Sequence, residues 1–477
     1  MRLRSVGILV RFFLVFLMRR VLSRGILRSK SARILAVAGV TAAFVAYSLL
    51  SVVVLRQMFG GTEYIAAILK SAAVSTLFWV AVTYTIIRVL FLKADELLQL
   101  SFALPVTNKE RTLAFTIFEA LIVMAALCLA FGGFGIACLV LIGPTALALL
   151  LTGIAMPAIS LYLCFSAGYL LFERVLSISG LARLRGLLLP AALAAVLLLA
   201  FSAVNAQSEE FLRAFAAGSP YFAPQLLYSW IAETAGILPA TAGFIAFCMV
   251  GLVLINVAAP RSYVPVKKYF KVLPTWLATT RFGAYLLVLV RSFETGVVLL
   301  FTAIATALVW AYRLDIPPFA MLLVTFQGVY AFSNSTALRR IGPHMSRPLL
   351  DYSCLVGTQA LLLVVIAVPV SVVSADAGVS LVTSIAIAGF GFANIVLSSL
   401  VGIIFPPERG NPFSVLIGVL LMMVVAGTLA IGLNIFNLPT YVNVAFVAIG
   451  TLVAVVYGVF GIRQIERNQR HVNEMAA

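Results

Sequence analysis

Long apolar stretches alternate with short polar ones along the whole chain. The spans fall at about 34–56, 64–91, 112–132, 137–172, 187–205, 236–258, 295–312, 317–337, 356–374, 379–405, 414–435 and 443–462, twelve in all. Each is close to the roughly 20 residues that a helix needs to cross a bilayer. The runs are continuous, with no alternation of polar and apolar positions, which excludes a membrane β-barrel. The predicted fold is therefore an all-α polytopic membrane protein. The stretch 137–172 is too long for one straight helix, and its Pro144, Gly153 and Pro157 predict a kink or break.

Composition agrees, since 63% of residues are hydrophobic and only 10% charged, against about 25% charged in soluble domains. Charge then sets the orientation. With both ends cytoplasmic, polar segments on that side hold 29 of the 33 Lys/Arg, counting Arg88 at a span end. The other side keeps Arg56, Arg213 and Arg313, and Lys70 falls inside a span, where its long side chain reaches the near surface. By the positive-inside rule this predicts a multi-pass protein of the cell membrane with both termini cytoplasmic. The net charge of +17 is thereby absorbed by loop bias, and no nucleic-acid partner is expected. The outer segment 206–235 is rich in aromatics, and Tyr221, Phe222, Tyr228 and Trp230 fit an interfacial belt.

The second half follows the plan of the first. Residues 1–33 carry nine Arg/Lys and no acid and read as an amphipathic helix leading into the first span. RSYVPVKKYFKVLPTWLATTRFGAYLLVLVRSF (261–293) stands in the same place before the seventh. The polar segment 338–354 follows the eighth span as 92–110 follows the second. The chain therefore divides into a first half at 1–205, an outer segment at 206–235, a sixth helix at 236–258 that closes that half, and a second half at 259–477. An even number of spans per half makes the halves parallel repeats.

The segment FLKADELLQLSFALPVTNKERTL (91–113) carries the most information. Asp95 and Glu96 precede Leu97, Leu98 and Leu100, a composition suited to a short surface helix with one apolar edge. Pro105 disfavours helical geometry at Leu104. Thr107 or Asn108 can then cap the next helix, with Glu110 or Arg111 in its first turn. The expected product is a stiff helix-turn between two spans.

In its order Asp95, Leu97-Leu98, Leu104-Pro105-Val106-Thr107, then Lys109 and Arg111, this segment resembles the coupling helix of type-2 ABC exporter permeases. The resemblance extends to six helices per half and an amphipathic helix before the first. It implies a transport subunit without its own nucleotide site. Two ATPase partner subunits would carry ATP and Mg and push on 92–110 and 338–354, rocking the two bundles around a central pathway. The second copy departs from the motif: Arg339, Arg340, Pro343, His344, Arg347 and Asp351 replace the acidic-leucine cluster. An amphipathic or hydrophobic cargo (peptide, lipid or drug-like) moved out of the cytoplasm is the expected substrate.

No GxxxxGK[ST] phosphate loop, GxSxG or HExxH motif occurs, and neither the five cysteines nor the two histidines have metal-ligand spacing. The chain itself is thus expected to hold no cofactor, and its expected partners are the ATPase subunits and membrane lipid. The competing class is an ion-coupled secondary transporter, also six plus six, which needs ionisable groups inside the bilayer. Lys70, Glu119 and Glu294 are the candidates. Glu119, three residues after Thr116, reads either as a pathway residue with Thr116 or as a carboxylate paired with Arg111 or Arg88. A scaffold subunit without transport is the third class.

Overall fold

The computed structural model describes residues 3–22, 30–58, 62–91, 101, 104, 106–179, 185–219, 221–259, 274–313, 317–341, 347–404, 406 and 440–476. Within them it divides into two compact units, 1–265 and 266–477. Ten helices among the described residues are long and apolar enough to cross a membrane, and the protein is an all-α multi-pass membrane protein. The expected span at 414–435 lies outside the described residues.

In the first unit, α1 (Leu3–Leu22) buries Val6, Leu9 and Phe13 and leaves Arg4, Arg11 and Arg19 exposed. That spacing puts one apolar stripe against a neighbour, and Phe13 meets Phe115 and Phe118 of α4 with ring centroids 6.2 and 5.6 Å apart. The spans α2 (Lys30–Met58) and α3 (Thr62–Phe91) also pack on α4 (Asn108–Ile142). Many outward side chains of α2 are exposed and apolar, such as Val37, Leu49 and Leu50, as helices facing lipid require.

The third span is longer than its apolar core at 112–132 suggested, and the fourth is shifted from 137–172 to Pro144–Ile178. The glycines at 132, 133 and 135 do not end the helix, which continues to Ile142. In hydrocarbon every backbone group needs a partner, and the helix keeps its ladder until Gly143. Gly143 turns with φ +79°, a conformation that favours glycine, and Pro144 opens α5 (Pro144–Leu150) at a position where its missing N–H costs nothing. A five-residue π turn, Leu151–Ala155, joins α5 to α6 (Met156–Ile178) just before Pro157. The expected break in this stretch is therefore a hairpin turn at Gly143 and a π turn around Gly153. Next come α7 (Arg185–Ala216), a 3₁₀ turn at Pro224–Leu226, α8 (Leu227–Thr234) and α9 (Ile237–Ala258).

In the second unit, a 3₁₀ turn (Thr275–Thr279) leads into α10 (Arg281–Arg291), which buries Tyr285, Leu287 and Leu289 and packs on α14 (Pro348–Asp376). Between them lie α11 (Phe293–Tyr312), a 3₁₀ helix (Phe319–Gln327), α12 (Gly328–Asn334) and α13 (Thr336–Ile341). The expected single span at 317–337 is corrected by these pieces. No one α-helix of crossing length forms there, and nine residues wind as the tighter 3₁₀ form, unusually long for it. The unit ends with α15 (Leu381–Ile404) and α16 (Thr440–Ala476), which pack on one another.

Candidate functional site

Arg88 lies one turn from the end of α3, with Tyr84 one turn before it. Glu119 lies three turns into α4, beyond Thr116. Tyr162, Ser166 and Tyr169 share one face of α6. Packing of α3 on α4 and α6 brings these residues together in the interior of the first unit. Arg88 Nη1 stands 3.1 Å from Glu119 Oε1, with the two side chains only 9% and 1% exposed. The Arg88 Nε donates to the Tyr84 hydroxyl at 3.1 Å. The Tyr162 hydroxyl lies 2.7 Å from the Thr116 carbonyl and 3.3 Å from Glu119 Oε2. The guanidinium also sits over the Tyr169 ring, 4.5 Å from its centroid.

Removing both charges from water costs several kcal/mol per ion. The ion pair, the two tyrosine hydroxyls and the cation–π contact offset that cost. Of the two expected partners for Glu119, Arg88 is the one in place. Arg88 stands near the end of its span, as expected, but is turned inward and only 8% exposed. Thr116 is buried, and its hydroxyl bonds back to the Thr112 carbonyl at 3.0 Å. The tyrosine shell was missed in the sequence. Its one local signal is the Tyr84-x-x-x-Arg88 spacing, which places a hydroxyl one turn from a cation on a single helix face.

Arg111 does other work. Its Nη2 donates 3.0 Å to the Ser101 carbonyl, and Nη1 bonds the Asn108 side chain. Thr107 caps α4 through a reciprocal capping box: its hydroxyl accepts from the Glu110 N–H at 3.3 Å, and Glu110 Oε2 accepts from the Thr107 N–H at 3.0 Å. Further backbone bonds run from Leu104 N–H to the Ser101 carbonyl and from Val106 N–H to the Leu104 carbonyl. The turn entering α4 is thus stapled to the helix. Leu104 projects from it, 40% exposed. Asp95, Glu96, Leu97, Leu98, Leu100, Pro105 and Pro343 lie outside the described residues, as does the side chain of Arg340.

In the second unit Arg347 is exposed at the entry to α14. Arg339 folds back on its own chain, bonding the Phe332 carbonyl at 2.8 Å and covering the Phe332 ring at 3.5 Å. Asp351 is buried and faces inward. It accepts from Arg281 at 2.7 and 3.1 Å and from the Tyr285 hydroxyl at 2.6 Å, fastening α10 to α14. Burial, the hydrogen bond to Asp351 and its charge all push the Tyr285 phenol above its ordinary value. For Arg281 burial opposes the charge, but the bond to Asp351 and its charge outweigh it and hold the guanidinium higher.

Deeper in the second unit several buried polar contacts are between neutral groups. Thr295 donates to Gln327 at 2.7 Å, Asn394 to Thr325 at 2.7 Å, and Gln359 to Ser399 at 3.1 Å. Gly328 lies against Gln359 and Ser398, so closely that any Cβ there would collide with both.

At the other end of the first unit, the aromatic segment is not a uniform belt. Trp230 and Phe222 are exposed, but Tyr228 is buried and its hydroxyl bonds Ser160 at 2.8 Å. Thr152, in the π turn, is 3.2 Å from the Ser229 hydroxyl. Lys70 pairs with Glu233 at 2.7 Å. No three His, Cys, Asp or Glu side chains converge as a metal site among the described residues. Compared with family models, curated proteins and solved structures, the chain matches none.

Proposed function

We propose that this chain is the membrane permease of an ATP-driven exporter of the type-2 ABC kind, working with separate ATPase subunits that bind ATP and Mg. The observation that carries the reading is the stapled entry to α4. Ser101, Thr107, Glu110 and Arg111 bind the end of the 92–110 segment rigidly to the helix that bears Glu119. A push on the end of that segment would pass through these bonds to the helix that bears Glu119. The lead helices support the same plan, since α1 packs on α4 and α10 on α14, each the helix that follows a polar segment. On this reading the α1 end faces the cytoplasm and the cargo is amphipathic or apolar.

A buried, ionisable Arg88–Glu119 pair favours a second reading, an ion-coupled secondary transporter, because such pairs serve proton and ion coupling in membranes. Inverted vesicles containing the chain and its co-expressed partners separate the two with a hydrophobic fluorescent cation as cargo. The exporter reading expects uptake that needs ATP, resists a protonophore, and is lost in the Leu97→Asp/Leu98→Asp variant while membrane insertion persists. Uptake without ATP that a protonophore abolishes would establish the ion-coupled carrier instead.

A further inference from the structure

A cavity of about 360 Å³ lies in the first unit between the start of α3, the end of α7 and α8. This is the end opposite α1, because α1 packs at the start of α4, where α3 finishes. Its two charged lining groups are Lys70 and Glu233, paired at 2.7 Å with side chains 36% and 49% exposed. The hydroxyls there are already committed: Ser229 beside Thr152, Tyr221 to the Gln207 carbonyl and Ser219 to the Ala214 carbonyl. Phe211, Phe215 and Trp230 supply the apolar wall.

Lys70 lies eight residues beyond Thr62, the first of α3, about 12 Å along the helix axis, near one end of that span. Charges half-exposed there need polar solvation, while the aromatic wall favours hydrocarbon. One molecule meets both demands. We propose that this cavity binds a zwitterionic phospholipid, its phosphate on Lys70, its ammonium on Glu233 and its upper acyl chain along Phe215 and Trp230. Two adjacent opposite charges match a head group that carries both signs. The volume falls within the ~300–1,000 Å³ of small-molecule sites. A ligand that separates the Lys70–Glu233 contact must replace both of its halves, which a group of a single charge cannot do. The site does not depend on the transport reading, because binding alone reports it.

Native mass spectrometry of the full chain released from detergent micelles tests it. Dioleoyl phosphatidylethanolamine should give one saturable adduct, bound about fivefold or more tighter than dioleoyl phosphatidylglycerol, which lacks the ammonium. Free phosphoethanolamine should not compete at equal concentration. The Lys70→Ala/Glu233→Ala variant should lose the preference, and the exchanged pair Lys70→Glu/Glu233→Lys should keep it. Equal binding of phosphatidylglycerol would make this an anion site. Undiminished phosphatidylethanolamine binding by the double-alanine variant would overturn the site altogether. Free phosphoethanolamine binding as tightly would show that the acyl chain takes no part.

Discussion

The helices α4 and α14 each carry a buried polar side chain at the same distance from the helix start, and the two units solve its burial differently. Glu119 and Gln359 each lie eleven residues past the first residue of α4 and α14. Arg88 and Gly328 each precede those helices by twenty residues. In the first unit the pair is charged, Arg88 with Glu119 at 3.1 Å. In the second, glycine makes room where arginine stands, and Gln359 bonds a serine. A neutral amide in hydrocarbon costs little once bonded, whereas an ion pair is tolerated only as a complete pair. The comparison teaches that at these matched positions the first unit holds an ion pair and the second a neutral hydrogen-bonded pair.

Removing one ion should have the largest effect. Glu119→Leu strands the guanidinium and is expected to cost about 3–5 kcal/mol, read as a drop in thermal unfolding temperature in detergent. Arg88→Met/Glu119→Met should recover most of that loss, and a double variant as unstable as the single would remove the pair as the unit of stability. Making the second unit resemble the first should come next. Gln359→Glu places a carboxylate against a hydroxyl and the Leu355 carbonyl, with an expected cost of about 3 kcal/mol. No loss would mean that the second site accepts charge as well as the first.

The lead helices sharpen the contrast at a smaller scale, since aromatic rings hold α1 and Asp351 holds α10. Tyr285→Phe removes a hydrogen bond to a charged group and should cost about 1.5 kcal/mol. Because the folded protein holds the Tyr285 proton more tightly than the unfolded chain does, this contribution is complete below about pH 10 and declines as pH rises beyond it. The variant should therefore flatten the alkaline fall in stability, and an unchanged alkaline limb would contradict the assignment. Smallest is Thr107→Ala, expected to cost about 1 kcal/mol. Adding Glu110→Ala should cost less than a second such loss, because the capping box is reciprocal.

Hydropathy made most of the helices legible, since length and apolarity are what a bilayer selects. The cap entering α4 was legible to within two neighbours, Thr107 or Asn108, because its side-chain chemistry is local. The end of α4 was not: Gly132, Gly133 and Gly135 look like a break in water, but a helix in hydrocarbon keeps its ladder through them until Gly143 turns the chain. The 3₁₀ course of 319–327 was hidden as well, because an apolar run reads alike whichever helix it winds. Within the candidate site, Glu119 stood out as an acid in an apolar run. Its tyrosine partner on α6 could not be read, because 43 residues separate Tyr162 from Glu119 and only packing joins them.

The π turn at Leu151–Ala155 gives the helix two angular frames. A π turn holds an extra residue, so the segment after it is rotated relative to an unbroken α-helix by about 100°. Thr152 therefore meets Ser229 in one frame, while Tyr162 meets Glu119 in the other. Deleting one residue from this turn would shorten the helix hardly at all, yet it would put the two frames out of phase. Either the Thr152–Ser229 contact or the Tyr162–Glu119 contact could then be made, but not both. Correct phase between the two ends of the bundle is thus written into a single surplus residue.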